Sequence, residues 1–266
     1  MNTILTLKDI SLTYHTKQNE TLALRDLTFG VGESEFISLV GPSGCGKTTI
    51  LSLVAGILKP TSGEIELKGE KITKPTTRVG YMFQRDNLFE WLNIYKNVTI
   101  GLTIQHKNTK ENQEKVNALL EKYGLSEFKK YHPNQLSGGM RQRVALIRTL
   151  ATDPEILLLD EPFSALDYQT RLNVQDNVYE IIKSEKKTAI LVTHDISEAI
   201  AMSDKVIVLT SRPAKVKKII ELDFDKSLTP FERRKDEKFH LYFNEIWEEL
   251  TWKKFIQPST KNSYEN

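Results

Sequence analysis

The sequence predicts an α/β protein built on a largely parallel sheet, with helices outside it and one helical block inserted. Three observations carry this. Short apolar runs of four or five residues (Phe36–Val40, Ile156–Leu159, Thr188–Val192, Lys205–Leu209) alternate with longer segments of helical periodicity. A glycine-rich turn, Gly41–Gly46, lies between one such run and a helix. Residues 93–150 are more polar and mostly helical, and they interrupt the alternation.

Taken in order, residues 4–14 and 21–31 alternate as strands around a polar loop at Lys17-Gln18-Asn19-Glu20. Phe36–Val40 is a buried strand, and Lys47–Leu58 is helical until Lys59-Pro60-Thr61-Ser62-Gly63 stops it. Strands return at Glu64–Lys68 and Val79–Phe83. The helical block follows, broken at Gly124 and at His132-Pro133-Asn134. Then come a strand at Ile156–Leu159, a helix at 168–184, a strand at Thr188–Val192, a short helix at 196–202 and a strand at Lys205–Leu209. Phe239, Phe243, Ile246 and Leu250 stand at helical spacing, so the last helix packs against its own domain. Lys215, Lys217 and Lys218 read as a solvated strand face. No motif repeats, so the chain carries one functional unit.

Composition sets the limits. The chain has 266 residues, 37 lysines and arginines against 35 acids, so general nucleic-acid affinity is not expected. The single Cys45 excludes an internal disulfide and fits a reducing compartment. No apolar run approaches the roughly 20 residues needed to cross a bilayer, and the N-terminus does not read as a signal peptide. The sequence therefore reads as a soluble intracellular protein whose membrane role, if any, comes through a partner.

The chemistry begins at Gly41-Pro42-Ser43-Gly44-Cys45-Gly46-Lys47-Thr48, which matches G-x-x-x-x-G-K-[ST] between a buried strand and a helix. Backbone N–H groups of such a loop wrap a β-phosphate, Lys47 reaches the β and γ oxygens, and the Thr48 hydroxyl can ligate Mg²⁺. Thr49, next in the helix, joins the nucleotide-binding set. Cys45 stands close to Lys47 and a helix N-terminus, which should favour its thiolate, yet it reads as a tolerated bystander. Ile156–Leu159 runs into Asp160 and Glu161: the first suits Mg²⁺, through water, and the second suits a general base on the attacking water. His194 follows its strand through Thr193 in the same way and suits a γ-phosphate sensor. Gln84 follows Val79–Phe83 and could hold the metal or the water. Tyr14 ends the first strand, either as an adenine-stacking face or as a strand-edge tyrosine. Leu136-Ser137-Gly138-Gly139-Met140-Arg141-Gln142 is a capped turn opening a helix, whose unpaired N–H groups suit an anion.

Assembled, these residues give a chain that resembles the ATP-binding subunits of ABC transporters over nearly its whole length. The resemblance implies a P-loop NTPase (RecA-like) core with an antiparallel β subdomain and an inserted α-helical signature subdomain at about 86–150. The ATPase domain would span 1–230, with a C-terminal helical tail over 231–266. It implies that Tyr14 stacks on adenine, that Gln84 is the Q-loop residue, and that Leu136–Gln142 is the signature motif. Asp160 becomes the Walker B acid, Glu161 the catalytic base, Asp167 the D-loop acid and His194 the switch histidine. Met140 stands where the general signature has glutamine. With Asp160–Asp167 and Ser211-Arg212-Pro213, this resembles the nitrate/sulfonate/taurine importer group, whose solutes also include vitamin precursors. Two copies would pack head to tail around two ATP and Mg²⁺, on the cytoplasmic face of the membrane. They would act beneath integral permease subunits served by an extracytoplasmic substrate-binding protein. Phe89 and Trp91 then either receive a permease helix or pack in the subdomain core. The alternative, a soluble ABC-type ATPase such as one in iron–sulfur assembly, is disfavoured by Met140 and the Ser-Arg-Pro triplet.

Overall fold

The computed structural model describes residues 2–15 and 19–251. Two sheets carry the chain. The first is antiparallel and built from local hairpins: β1 (Thr3–His15), β2 (Glu20–Gly32), β4 (Ser62–Leu67) and β5 (Glu70–Lys71), in the order β2-β1-β4-β5. Leu5, Leu7, Ile10, Leu24, Leu27 and Val31 are fully buried along β1 and β2 in the period-2 pattern of a half-covered sheet, which register shifts interrupt where Ile4 and Ala23 are buried as well.

The second sheet is the core. It contains β3 (Phe36–Val40), β6 (Val79–Met82), β7 (Ile156–Asp160), β8 (Thr188–Val192), β9 (Lys205–Leu209) and β10 (Val216–Glu221), in the order β10-β9-β3-β8-β7-β6. Every pairing is parallel except the antiparallel edge strand β10. Strands β3, β7 and β8 are buried at every position, because the first sheet and one helix cover one face and helices cover the other. Register aligns their carboxyl ends, with Leu39 opposite Val192, Asp160 opposite Val192, and Met82 opposite Leu159. The loops that leave β3, β6, β7 and β8 thus open on one edge, where α/β sheets bind ligands.

Helix α1 (Lys47–Val54) is shorter than the sequence pattern suggests. Gly56 takes φ 71°, Ile57 N–H donates to the Ser52 carbonyl and Gly56 N–H to that of Leu53, a closing motif that ends the helix before Leu58. The polar block forms α2 (Ile94–Ile104), α3 (Lys110–Lys122) and α4 (Gly138–Leu150), packed on a core that includes Val98, Leu120, Val144 and Ile147. Helix α5 (Tyr168–Ser184) precedes β8, and α6 (Ile196–Met202) links β8 to β9. After β10 come α7 (Pro230–Arg233) and α8 (Glu237–Thr251), the latter burying Phe239 and Ile246 with Ile200, Val206 and Ile220. Residues 252–266 of the expected tail, and Lys17 and Gln18 of the polar loop, lie outside the described residues.

One expectation is corrected here. Lys217 and Lys218 do not form a free solvated face: Lys217 pairs with Glu249, and Lys218 with Glu245 and Glu249, at 3.0–3.1 Å. Lys215 lies 3.5 Å from Asp26. The acidic stripe of α8, some 30 positions later, straps that helix to the sheet edge.

Candidate functional site

The phosphate loop leaves β3 at Val40 and enters α1 at Lys47. Gly46 sits at φ 123°, a conformation that any β-carbon would strain, and it turns the loop into the helix. Lys47 is buried, and its ammonium donates to the carbonyls of Gly41 and Pro42 at 2.8 and 3.2 Å, within the loop itself. Arg212, from the Ser-Arg-Pro turn between β9 and β10, donates to the Gly44 carbonyl at 2.9 Å. Tyr14, 38% exposed, shares a hydrogen bond of 3.1 Å with the Thr49 hydroxyl, so its ring stands beside the first turn of α1. Ser43, Gly44 and Thr48 are exposed along the loop.

Cys45 departs from expectation. It is 1% exposed, and burial pushes its thiol above the ordinary range despite Lys47 nearby. Desolvation outweighs the ammonium and the helix N-terminus, so the thiolate is disfavoured. The sulfur packs at the spot where a β-carbon on Gly41 would lie 3.0 Å away.

Thr48 and Asp160, 112 residues apart in sequence, meet at 3.1 Å, the hydroxyl donating to Oδ1. The other carboxylate oxygen accepts from the Tyr81 hydroxyl at 3.1 Å. Burial raises the Asp160 carboxyl, opposed by those two hydroxyls, and the same contact with burial raises the Tyr81 phenol strongly. Among the described residues no group of three or more His, Cys, Asp or Glu could cage a metal. Thr48 and Asp160 instead supply two hard oxygens, the partial donor set that suits Mg²⁺ completed by phosphates and water.

Glu161 follows at φ 46°, left-handed for a non-glycine residue, and its N–H donates to the Val192 carbonyl at 2.9 Å. Holding such a conformation costs about 1–3 kcal/mol and concentrates at working sites. Its Oε2 lies 3.2 Å from Nδ1 of His194, whose side chain is 65% exposed. The Ser164 hydroxyl donates to the Glu161 carbonyl at 3.0 Å and accepts from the Gln84 amide at 3.3 Å. Gln84, Glu161 and His194 are thereby brought to one edge, above Asp160.

Ser137 caps α4, its hydroxyl accepting from Met140 N–H at 3.3 Å. The helix starts at Gly138, two residues before the apolar and basic run begins. Asp167 caps α5 through Thr170 N–H, and the Thr170 hydroxyl, with that N–H, lowers its carboxyl. Gly138 lines a cavity of about 380 Å³ with Gln84, Asp86, Arg141, Ala165 and Leu166, and no phosphate-loop residue lines it. The cavity beside the Ser137 turn thus reaches Gln84 but not the phosphate loop of the same chain.

Sequence reasoning missed the support of these groups. Arg148 donates to the carbonyls of Asp86 and Asn87, both at 2.7 Å, and Arg141 lies 3.1 Å from the Asp86 carboxylate. The helix that carries the Ser137 turn therefore grips the backbone just after Gln84. A basic residue in an amphipathic helix gives no signal that its partner is a loop carbonyl some 60 positions earlier. Phe89 is half-buried and Trp91 is 74% exposed, their ring centres 5.1 Å apart, so Trp91 does not pack in the subdomain core.

A phosphate loop at the end of a buried strand, a carboxylate pair on the next strand but one and a histidine between them define a P-loop nucleotide hydrolase cassette. Residues 24–164 match the ABC transporter family model. The chain is 44% identical over 242 residues to YtlC, an uncharacterized ABC transporter ATP-binding protein of Bacillus subtilis (strain 168), covering 91% of this chain and 93% of that one. It is 39% identical over 248 residues to the aliphatic sulfonates import ATP-binding protein SsuB of Bacillus cereus (strain ZK / E33L), covering 92% and 96%. Its fold matches the dimeric post-hydrolysis state of the ATP-binding cassette MJ0796 bound to ADP and Pi, with TM-score 0.70 and 31% identity. That match covers 84% of this chain and all of the other. The chain belongs to the ABC transporter ATP-binding family and is an ATPase of that family. No helix among the described residues is long and apolar enough to cross a membrane.

Proposed function

We propose that this chain is the ATP-hydrolysing subunit of an importer for a small solute of the sulfonate type, working as a head-to-tail pair of copies. The observation that carries the pairing is that no phosphate-loop residue lines the cavity at Gly138, beside the Ser137 turn. In the proposed dimer, Gly41–Thr49 of one copy and Ser137, Gly138 and Gly139 of its partner close on the same triphosphate. Tyr14 stacks on the adenine, and Asp167 caps the helix that faces the other copy. The likeness to SsuB supports the solute class and a separate permease.

In hydrolysis, Lys47 leaves its loop carbonyls for the β and γ oxygens. Thr48, Asp160 and Gln84 would hold Mg²⁺, which when bound neutralises charge on the phosphates. Glu161 accepts the proton of the attacking water, and His194, 3.2 Å away, orients that carboxylate and senses the γ-phosphate. Gln84 reports occupancy to the segment that bears Phe89 and Trp91, whose exposed rings would receive a permease helix. An extracytoplasmic binding protein would deliver the solute.

Extraction of the tagged chain from membranes in mild detergent tests the importer reading. Recovery of an integral membrane protein in fixed stoichiometry is expected. Recovery of the ATPase alone, or with soluble assembly factors, overturns the importer in favour of a soluble ABC-type ATPase.

A further inference from the structure

Helix α6 starts two residues after His194 and is seven residues long, so its position decides where the histidine stands. Its N-terminal end is tied locally: Asp195 N–H donates to the Thr193 hydroxyl at 3.0 Å, and the Asp195 carboxylate caps Glu198 N–H at 3.2 Å. Its C-terminal carbonyls need donors from elsewhere, as at any helix end. Buried Arg233 of α7 supplies them, donating to the carbonyls of Ser203 at 2.8 Å and Ala201 at 3.4 Å. The same guanidinium donates to the Tyr179 hydroxyl at 2.8 Å and lies over the rings of Tyr179 and Phe224 at 5.1 and 5.4 Å. Such a cation fixed by two carbonyls and two rings has one orientation.

Arg171 of α5 holds the other end. Its guanidinium lies 3.7 Å from Asp195 and donates to the Leu166 carbonyl at 3.0 Å, beside Asp167. Glu198 is 5% exposed and its Oε1 has no hydrogen-bond partner. Burial first, then Asp195, pushes its carboxyl up to about 8, against the Thr193 hydroxyl, Arg171 and Arg234.

We propose that Arg233 and Arg171 are positioning residues for His194. They grip α6 at its two ends, so α5 and the segment after β10 together set the switch histidine against Glu161. The proposal rests on His194 acting at the γ-phosphate. It extends the working unit past His194 to α7, outside the family match over residues 24–164. Displacing α7 would move His194 without touching the phosphate loop.

The test is a cycle of ATPase measurements on the full chain as the ATP-competent dimer: Arg171→Met, His194→Ala and the double variant. Arg171→Met is expected to lower kcat about tenfold while KM for ATP stays within about twofold. In the His194→Ala background the same change is expected to cost almost nothing, because its effect passes through the histidine. An equal tenfold loss in both backgrounds overturns positioning through His194 and leaves the histidine's role standing. Wild-type turnover by His194→Ala overturns the histidine's role and the proposal with it. Arg171→Lys keeps the stem and charge, is expected to regain most of kcat, and carries the same cycle should the methionine variant fold poorly.

Discussion

Replacing Arg148 by methionine keeps an unbranched stem on α4 but removes both guanidinium bonds to the Asp86 and Asn87 carbonyls. Hydrogen bonds to a charged group contribute about 1.5–3 kcal/mol each. One bond is exposed and the other half-buried, so both count near the lower limit, for a loss of about 3 kcal/mol. Burial lowers the Arg148 pKa, a cost of holding the ion there that the variant recovers and that argues against a larger figure. For a chain of this size the loss corresponds to a fall in Tm of about 6 °C. The freed segment follows Gln84 directly, so ATP turnover should fall as well, with nucleotide binding by the phosphate loop retained. Thermal unfolding and steady-state ATPase on matched samples provide the readout. A Tm shift under about 2 °C, or less than 1 kcal/mol, refutes the clamp. Unchanged turnover beside a large Tm loss refutes its link to Gln84.

Three further outcomes are expected. Ser137→Arg fills the turn that caps α4 and should abolish hydrolysis while a single copy still binds fluorescent ATP; normal turnover would remove the turn from the site. Glu198 has a folded-state value of about 8 against an ordinary 4.5, so the native state holds its proton longer than the unfolded chain. Stability from this group is complete below pH 4.5 and is lost as pH rises to 8, at about 1.4 kcal/mol per unit. Glu198→Gln should therefore show a flatter Tm between pH 5 and 9 than the native chain, and parallel curves would contradict the assignment. Cys45, buried and disfavoured as thiolate, should react with iodoacetamide far more slowly than in urea-unfolded protein; equal rates would place it at the surface.

The strand ends are legible in the sequence because each is a four- or five-residue apolar run that stops at a residue with chemistry. Leu159 gives way to Asp160, Val192 to Thr193 and His194, and Val40 to the glycine turn. The Ser137 cap is equally local, since its side chain bonds only three residues ahead. What stays hidden depends on distant neighbours. Cys45 looks like an activated thiol until the fold places Gly41 against it and water is gone. Lys217 and Lys218 look solvated until α8 brings Glu245 and Glu249 alongside. Tyr81 is one strand residue among four until its hydroxyl meets Asp160, 79 positions away. The end of α1 is a smaller case, in which Gly56 closes the helix although Ile57 and Leu58 continue the apolar pattern.

The central claim is that each ATP site is assembled from two copies, the phosphate loop of one and the Ser137 turn of the other. Two inactive variants test it by complementation. Lys47→Ala disables a phosphate loop and leaves the Ser137 turn intact, while Ser137→Arg does the reverse. Alone, each is expected to be inactive. Mixed, they form dimers in which one site joins the intact loop of one copy to the intact turn of the other, and hydrolysis should return to a clear fraction of the native rate. A mixture as inactive as its components, with heterodimers demonstrated by differential tags, would contradict a site shared between copies.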